Sequence, residues 1–182
     1  MFKRIWAWLV EYFNPPPLGR KFSARITNVQ DGDSLEFYAN HRTHRARLVG
    51  IDAPEYLQPY GPEAARQLIE LAYASDDVVV EQFGRDKFNR LLVHVTVGSV
   101  DLAYAMLDAG LAWNIAAYTK QSIPQHAQRY AAAVYHAMDS KKGLWAQPNP
   151  VAPAQYRAMM RGDVRAPKTP KQKSSSQRDL FT

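Results

Sequence analysis

The sequence predicts one α+β domain in which short strands carry inserted and appended helices, most economically arranged as a small closed barrel. Three observations lead to this prediction. Apolar and polar residues alternate over 22–27 and again over 91–97, as they do in half-buried strands. The run 77–83 is rich in β-branched residues, which favour strands. Apolar residues recur at helical spacing after Pro62 and after Asp101.

The chain divides into three parts. Residues 1–20 are expected to form a short amphipathic helix over 1–13, followed by a proline-rich linker. Residues 21–146 form the folded domain. In residues 147–182 proline, lysine, serine and glutamine dominate, which predicts a disordered basic tail. The N-terminal helix is too short to span a bilayer. Its aromatic face fits packing against its own domain and anchoring at a membrane surface equally well.

The composition restricts the chemistry. The 182-residue chain contains no cysteine, which excludes disulfides and zinc sites held by thiolates. Its formal net charge is +6, but residues 151–182 carry +5 and residues 1–20 carry +2, so the body carries −1. The body would therefore attract nucleic acid through the local placement of basic residues rather than through its total charge.

Two strand-like runs, 34–38 and 45–50, flank a polar loop and predict a hairpin. In a hairpin the beginning of the first strand lies beside the end of the second. This geometry brings Asp33 close to Asp52 and Glu55. Crowded carboxylates repel one another unless a hard cation or a proton intervenes, and oxygen ligands suit calcium or magnesium.

Arg47 adds a positive charge to the same small surface. Side chains alternate across a strand, so Arg47 faces away from the core if Ala46 and Leu48 face it. Two or three acids beside an outward arginine suit chemistry on a phosphodiester.

The predicted helices lie between and after the strands. Pro62, followed by an acid, is typical of a first helical turn. Asp101 has the position of an N-cap, and Gly110 ends the helix that it begins. Ser122 and Gln125 have capping-box spacing and are expected to begin the longest helix.

Six segments, each weak alone, occur in an order and at a spacing that together are specific. They are Asp31-Gly32-Asp33, Arg47-Leu48-Val49-Gly50-Ile51-Asp52-Ala53-Pro54-Glu55, Tyr60-Gly61-Pro62-Glu63-Ala64, Asp86-Lys87-Phe88-Asn89-Arg90, Gly110-Leu111-Ala112 and Gly143-Leu144-Trp145. Residues 21 to about 145 thereby resemble the staphylococcal nuclease (thermonuclease) family. The resemblance implies a five-stranded OB-fold β-barrel with three helices. It also implies a calcium-dependent nuclease that cleaves DNA and RNA with little sequence preference and leaves 3′-phosphate ends. The protein is expected to be a monomer.

The resemblance also assigns a metal site, position by position. Asp33, Asp52 and the backbone carbonyl of Ala53 match the calcium ligands. Asp31 would support them from outside the ligand shell.

The resemblance assigns catalytic and substrate-binding residues as well. Glu55 matches the general base, and Arg47 and Arg90 match the two arginines at the scissile phosphate. Lys87 and Tyr118 match positions that contact the substrate. Family members that have lost the acids are non-catalytic nucleic-acid-binding or adaptor modules, so such a module is the alternative. The retained acids and arginines favour the enzyme.

Two departures from the family's pattern bear on this site. Phe88-Asn89-Arg90 stands where the family has Tyr-Gly-Arg. Asparagine tolerates the left-handed conformation, so Arg90 should still be placed correctly, whereas Phe88 lacks a hydroxyl that could bond the phosphate. Ala116 replaces one of two tyrosines that face the nucleotide in the best-known member, and Tyr118 aligns with the other. Base stacking should therefore be weaker.

The end of the tail, Gln177-Arg178-Asp179-Leu180-Phe181, resembles the peptide by which many bacterial DNA-repair and replication proteins bind the sliding clamp. Gln177 and Asp179 match its polar positions, and Leu180 and Phe181 would enter an apolar pocket of the partner. A five-residue pattern also arises by chance, so an unspecialised tail is the alternative. A clamp partner favours the cytoplasm over the membrane surface or secretion, which the sequence leaves open.

Overall fold

The computed structural model describes residues 18–163. The helix predicted over 1–13 and the clamp-like motif, including Gln177, Asp179, Leu180 and Phe181, lie outside the described residues. Across 18–163, no helix combines the length and the apolar character that crossing a bilayer requires.

The described chain is α+β, as predicted. Its strands are β1 Lys21–Ser23, β2 Arg25–Val29, β3 Ser34–Ala39, β4 Arg42–Leu48, β5 Ile51–Asp52, β6 Val78–Arg85, β7 Leu91–Val97, β8 Val100–Asp101 and β9 Trp113–Asn114. Its α-helices are α1 Gly61–Ala72, α2 Leu102–Asp108, α3 Ala116–Ser122, α4 Ala127–Asp139 and α5 Pro153–Met160. Short 3₁₀ turns span Pro124–His126 and Gly143–Ala146.

The main sheet has the strand order β1-β6-β7-β4-β3-β2, with β8 paired to β7. Only Ala24 separates β1 from β2, so the single stretch 21–29 pairs with β6 through one half and with β3 through the other. All pairings are antiparallel except that of β4 with β7. A separate antiparallel ribbon joins β5 to β9.

Two registers position the polar side chains. In the predicted hairpin, Ser34 pairs with Arg47 and Leu35 pairs with Ala46. The parallel pairing sets Arg47 beside Leu92. Leu35 and Ala46 are fully buried, so Arg47 points away from the core, as the alternation predicted. The beginnings of β3 and β7 and the end of β4 thus meet at one edge.

The helices differ from the prediction in number and in one boundary. The expected capping box at Ser122 and Gln125 is wrong, because Ser122 is the last residue of α3. The buried Ile123 leaves helical geometry, at φ −134° and ψ 58°, and Pro124 begins a 3₁₀ turn. The long helix α4 begins only at Ala127.

The expectation of disorder from residue 147 onward is also corrected, because Pro153–Met160 forms helix α5. Two contacts attach this segment to the loop before α1. The Nε2 of Gln58 donates to the carbonyl of Val151 at 2.6 Å, and the hydroxyl of Tyr156 donates to the carbonyl of Leu57 at 3.2 Å. Partners more than 90 positions away stabilise the helix, and local composition does not reveal them.

Candidate active site

A cleft opens where β3 and β7 begin and β4 ends. Its lining includes every predicted site residue within the described range: Asp31, Asp33, Arg47, Asp52, Ala53, Glu55, Lys87, Arg90 and Tyr118. Helix α5 contributes three more residues, namely Ala154, Arg157 and Arg161.

The guanidinium of Arg47 bridges two carboxylates in this cleft. Its Nη2 lies 2.9 Å from Oδ2 of Asp33 and 2.5 Å from Oδ1 of Asp52, and its Nη1 donates to Oδ1 of Asp33 at 2.9 Å. Because both carboxylates contact the same nitrogen, their oxygens converge on one small region. The hairpin register produces this convergence, since it sets Arg47 opposite Ser34 and therefore next to Asp33.

Both carboxylates are buried, and burial makes Asp33 costly to ionise. Asp33 is 3% exposed and Asp52 is 4% exposed. Burial raises the pKa of Asp33 to about 7, even though Arg47 lowers it. Burial lowers the pKa of Arg47, but Asp33 and Asp52 raise it above its ordinary value overall. Positive charge in the cleft, that of Arg47 above all, therefore favours the ionised form of Asp33.

Hydrogen bonds hold Asp33 in place. The backbone N–H of Ala53 donates to its Oδ2 at 3.0 Å, and the hydroxyl of Ser34 donates to its Oδ1 at 2.8 Å. Asp31 accepts the backbone N–H of Asp33 at 3.0 Å and so closes the turn. A Cβ on Gly32 would lie only 2.6 Å from the Cβ of Ala64, so glycine allows this turn to pack against α1.

Arg90 reaches the same cleft from the beginning of β7. Its Nε donates to Oδ2 of Asp86 at 2.7 Å, and its Nη1 donates to the hydroxyl of Ser34 at 3.0 Å. Burial raises the pKa of Asp86, but the hydrogen bonds from Arg90 lower it below its ordinary value overall. Asn89 adopts φ +64°, so the expectation that asparagine would take the left-handed conformation here is confirmed.

Exposed aromatic and basic side chains form the rim. Phe88 is 63% exposed and lies between Lys87 and Arg90, whose charged groups are 5.1 and 5.6 Å from its ring centroid. Tyr118 on α3 is also exposed and lines the cleft. Ala116 is the first residue of the same helix and provides no second ring.

Arg157 of α5 is the site residue that the sequence reasoning missed. Its Nη1 lies 2.5 Å from Oε1 of Glu55, and its Nη2 lies 3.0 Å from Oδ2 of Asp52. Asp52 therefore carries an arginine on each side. Pro153 in the first turn of α5 was a helix-start signal, but nothing in the sequence connects that helix to residues 52 and 55.

The donor set fits a hard divalent cation. Asp33 and Asp52 offer carboxylate oxygens that converge on one atom of Arg47, and such oxygens suit calcium. The backbone N–H of Ala53 donates to Asp33. The role of the Ala53 carbonyl as a calcium ligand stays a prediction. Glu55 lies near the same region, because Arg157 forms ion pairs with both Glu55 and Asp52.

The chain is similar in sequence to several known proteins. The family model described as staphylococcal nuclease homologue matches residues 45–147. A Haemophilus influenzae protein named uncharacterized endonuclease is 31% identical over 138 residues, which cover 75% of this chain and 74% of that protein. An uncharacterized endonuclease of Escherichia coli is 32% identical over 78% of this chain and 88% of its own. A micrococcal nuclease of Shigella flexneri is 31% identical over 78% and 83%.

The left-handed turn before Arg90 can be tested by changing Asn89. Replacement by valine should lower the free energy of unfolding by about 1–2 kcal/mol, because a β-branched residue is strained at φ +64°. Urea unfolding measures this change. Asn89→Gly is the matched control and should be neutral or slightly stabilising. Equal stability of the valine and glycine variants would show that the conformation does not constrain this position.

Proposed function

Because the chain belongs to the staphylococcal nuclease homologue family, we propose that it is a calcium-dependent nuclease that hydrolyses phosphodiester bonds of DNA, RNA or both. The observation that supports this most is the convergence of Asp33 and Asp52 beside Arg47 in a cleft that also holds Glu55 and Arg90. We extend the proposal to low sequence specificity and 3′-phosphate products.

The arginines carry the electrostatic part of the proposed reaction. A phosphodiester is an anion, and its transition state gathers further negative charge on the equatorial oxygens. Planar guanidinium groups such as those of Arg47 and Arg90 can pair with two phosphate oxygens at once. Removing one contact of this kind costs about 10²–10³ in rate. A bound cation would add positive charge at the phosphate and acidify a water.

Glu55 supplies the base. Its carboxylate is half-exposed at the cleft, where a water molecule can reach it. In the proposed mechanism it accepts the proton that the attacking water loses, a contribution typically worth 10²–10⁴ in rate. Arg157 currently pairs with this carboxylate, so Glu55 becomes available as a base when that ion pair opens.

A barrel of OB type belongs to the same proposal. The stretch 21–29 pairs with β6 through β1 and with β3 through β2, so it contacts both ends of the row β6-β7-β4-β3. We infer that it closes the five predicted strands into a barrel, with α1, α2 and α4 as the family's three helices. Helices α3 and α5 are then additions to that scaffold.

The competing function is a non-catalytic nucleic-acid-binding or adaptor module on the same scaffold. Such a module needs basic residues but no buried acids. Asp33 and Asp52 are buried carboxylates, and a binding surface for polyanions gains nothing from acidic side chains placed there. Their retention therefore favours the enzyme.

Substrate class, oligomeric state, compartment and partners complete the proposal. We propose nucleic acid as the substrate and a monomeric cytoplasmic protein. The sliding-clamp contact of the C-terminal motif and the membrane contact of residues 1–13 remain predictions from the sequence alone.

Cleavage of single-stranded DNA tests the function directly. Purified protein should shorten the DNA in calcium and leave it intact in excess chelator. Glu55→Gln should slow cleavage by about 10²–10⁴-fold while calcium and DNA binding stay nearly unchanged, because a base is lost and no positive contact is removed.

The matched control is Glu63→Gln, which changes an exposed acid in the first turn of α1. It should cleave at the wild-type rate. If the wild-type protein leaves the DNA intact in calcium as well as in chelator, the enzyme is refuted and the binding module is favoured. Wild-type cleavage by Glu55→Gln would refute only the role of Glu55.

Arg157 and a bound cation should compete, because both are attracted to Asp52. Calorimetric titration of calcium in the absence of nucleic acid measures this competition. Arg157→Ala should bind calcium about fivefold more tightly than the wild type, since a partly exposed ion pair is worth about 1 kcal/mol.

Arg161→Ala is the control on the same helix. Arg161 also lines the cleft, but its carboxylate partner is Asp163, at 2.8 Å. Its calcium affinity should match that of the wild type. Equal affinities for the wild type and Arg157→Ala would contradict the competition.

A further inference from the structure

Three side chains able to ligate a metal meet outside the cleft. His94 lies on β7, Asp101 is the N-cap of α2, and His126 is the last residue of the 3₁₀ turn before α4. Their ligand atoms all lie within 4.8 Å of one another. None of the three lines the candidate active site, so the proposed nuclease reaction leaves this cluster unexplained.

The distances from the two histidines to Asp101 are close to those between ligands of a tetrahedral metal. The Nε2 of His94 lies 3.2 Å from Oδ2 of Asp101, and the Nδ1 of His126 lies 3.6 Å from the same oxygen. Zinc binds histidine nitrogen and carboxylate oxygen at about 2.0–2.2 Å, so neighbouring ligands of a tetrahedral zinc are about 3.4 Å apart. The two imidazole rings also face each other, with centroids 4.7 Å apart.

The second feature of the cluster is the burial of His94 and the direction of its ring nitrogen. This residue is 7% exposed, and no neighbour meets its buried Nε2 with the geometry of a well-aligned hydrogen bond. The nearest oxygen, Oδ2 of Asp101 at 3.2 Å, interacts electrostatically with this nitrogen but is poorly aligned with it. Such a poorly aligned pair is expected when the nitrogen and the oxygen both point at a third atom, such as a metal ion.

The carboxylate is oriented from outside the cluster, as metal ligands usually are. The hydroxyl of Tyr130 lies 2.9 Å from both oxygens of Asp101, and the backbone N–H of Tyr104 donates to Oδ1 at 3.0 Å. The side chain of His126 is 23% exposed, which leaves a route by which an ion or water can reach the cluster from solvent.

We propose that His94, Asp101 and His126 form a structural site for a zinc-class divalent cation. Two imidazole nitrogens select such ions over calcium, which prefers oxygen ligands. The ion would join β7 to the beginnings of α2 and α4, and it would do so independently of the cation proposed at Asp33 and Asp52. The competing account is a proton shared among the three side chains.

Cobalt(II) titration of metal-free protein tests the site. Cobalt in a tetrahedral site absorbs visible light strongly, so the band should grow to saturation at one equivalent. His126→Gln should abolish the band, because it removes one ligand from the partly exposed side of the cluster. His94→Gln should abolish it too. Asp52→Asn should keep the band, because that residue belongs to the other site.

The control is His136→Gln, which changes an exposed histidine on α4 that contacts Asp108. It should bind cobalt as the wild type does. One equivalent of zinc should also raise the thermal unfolding midpoint of the wild type by several degrees and leave that of His126→Gln unchanged. A missing band, a band that survives in His126→Gln, or an unchanged wild-type midpoint would overturn the proposal in favour of the shared proton.

Discussion

The ionic bridge from Arg47 to Asp33 and Asp52 is the interaction on which the rest of the site depends. Two carboxylates buried this deeply repel each other, and one guanidinium holds them 2.9 and 2.5 Å from a single nitrogen. The bridge offsets this repulsion and brings the carboxylate oxygens together in the cleft. It leaves those oxygens sensitive to any other cation that enters the cleft, whether a metal ion or the arginine of α5.

Backbone pairing between strands determines where these side chains lie. The register of β3 with β4 places Arg47 beside Asp33, and the parallel pairing of β4 with β7 brings Arg90 to the same edge. Ser34 connects the two arginines, since it accepts a hydrogen bond from Arg90 and donates one to Asp33. A shift by one residue in either register would turn these side chains toward the core. The polar side chains of the cleft are thus positioned by paired strands.

The sequence predicted the parts of the site that local geometry determines. Asp33 and Asp52 could be placed together because they flank one hairpin, and the outward direction of Arg47 followed from strand alternation. Arg157 and His126 could not be placed in this way. Arg157 reaches the cleft through contacts between segments about 100 positions apart, and His126 meets His94 only after the chain has passed α2 and α3. Neither contact leaves a periodic signal.

The most direct test of the account is a crystal structure with calcium and a nucleoside 3′,5′-bisphosphate. The account predicts anomalous density for calcium beside the carboxylates of Asp33 and Asp52, a phosphate paired with Arg47 and Arg90, and Arg157 turned away from Asp52. It would be contradicted if the crystal contained bound nucleotide but no calcium at those carboxylates, with Arg157 still paired to Asp52 and Glu55.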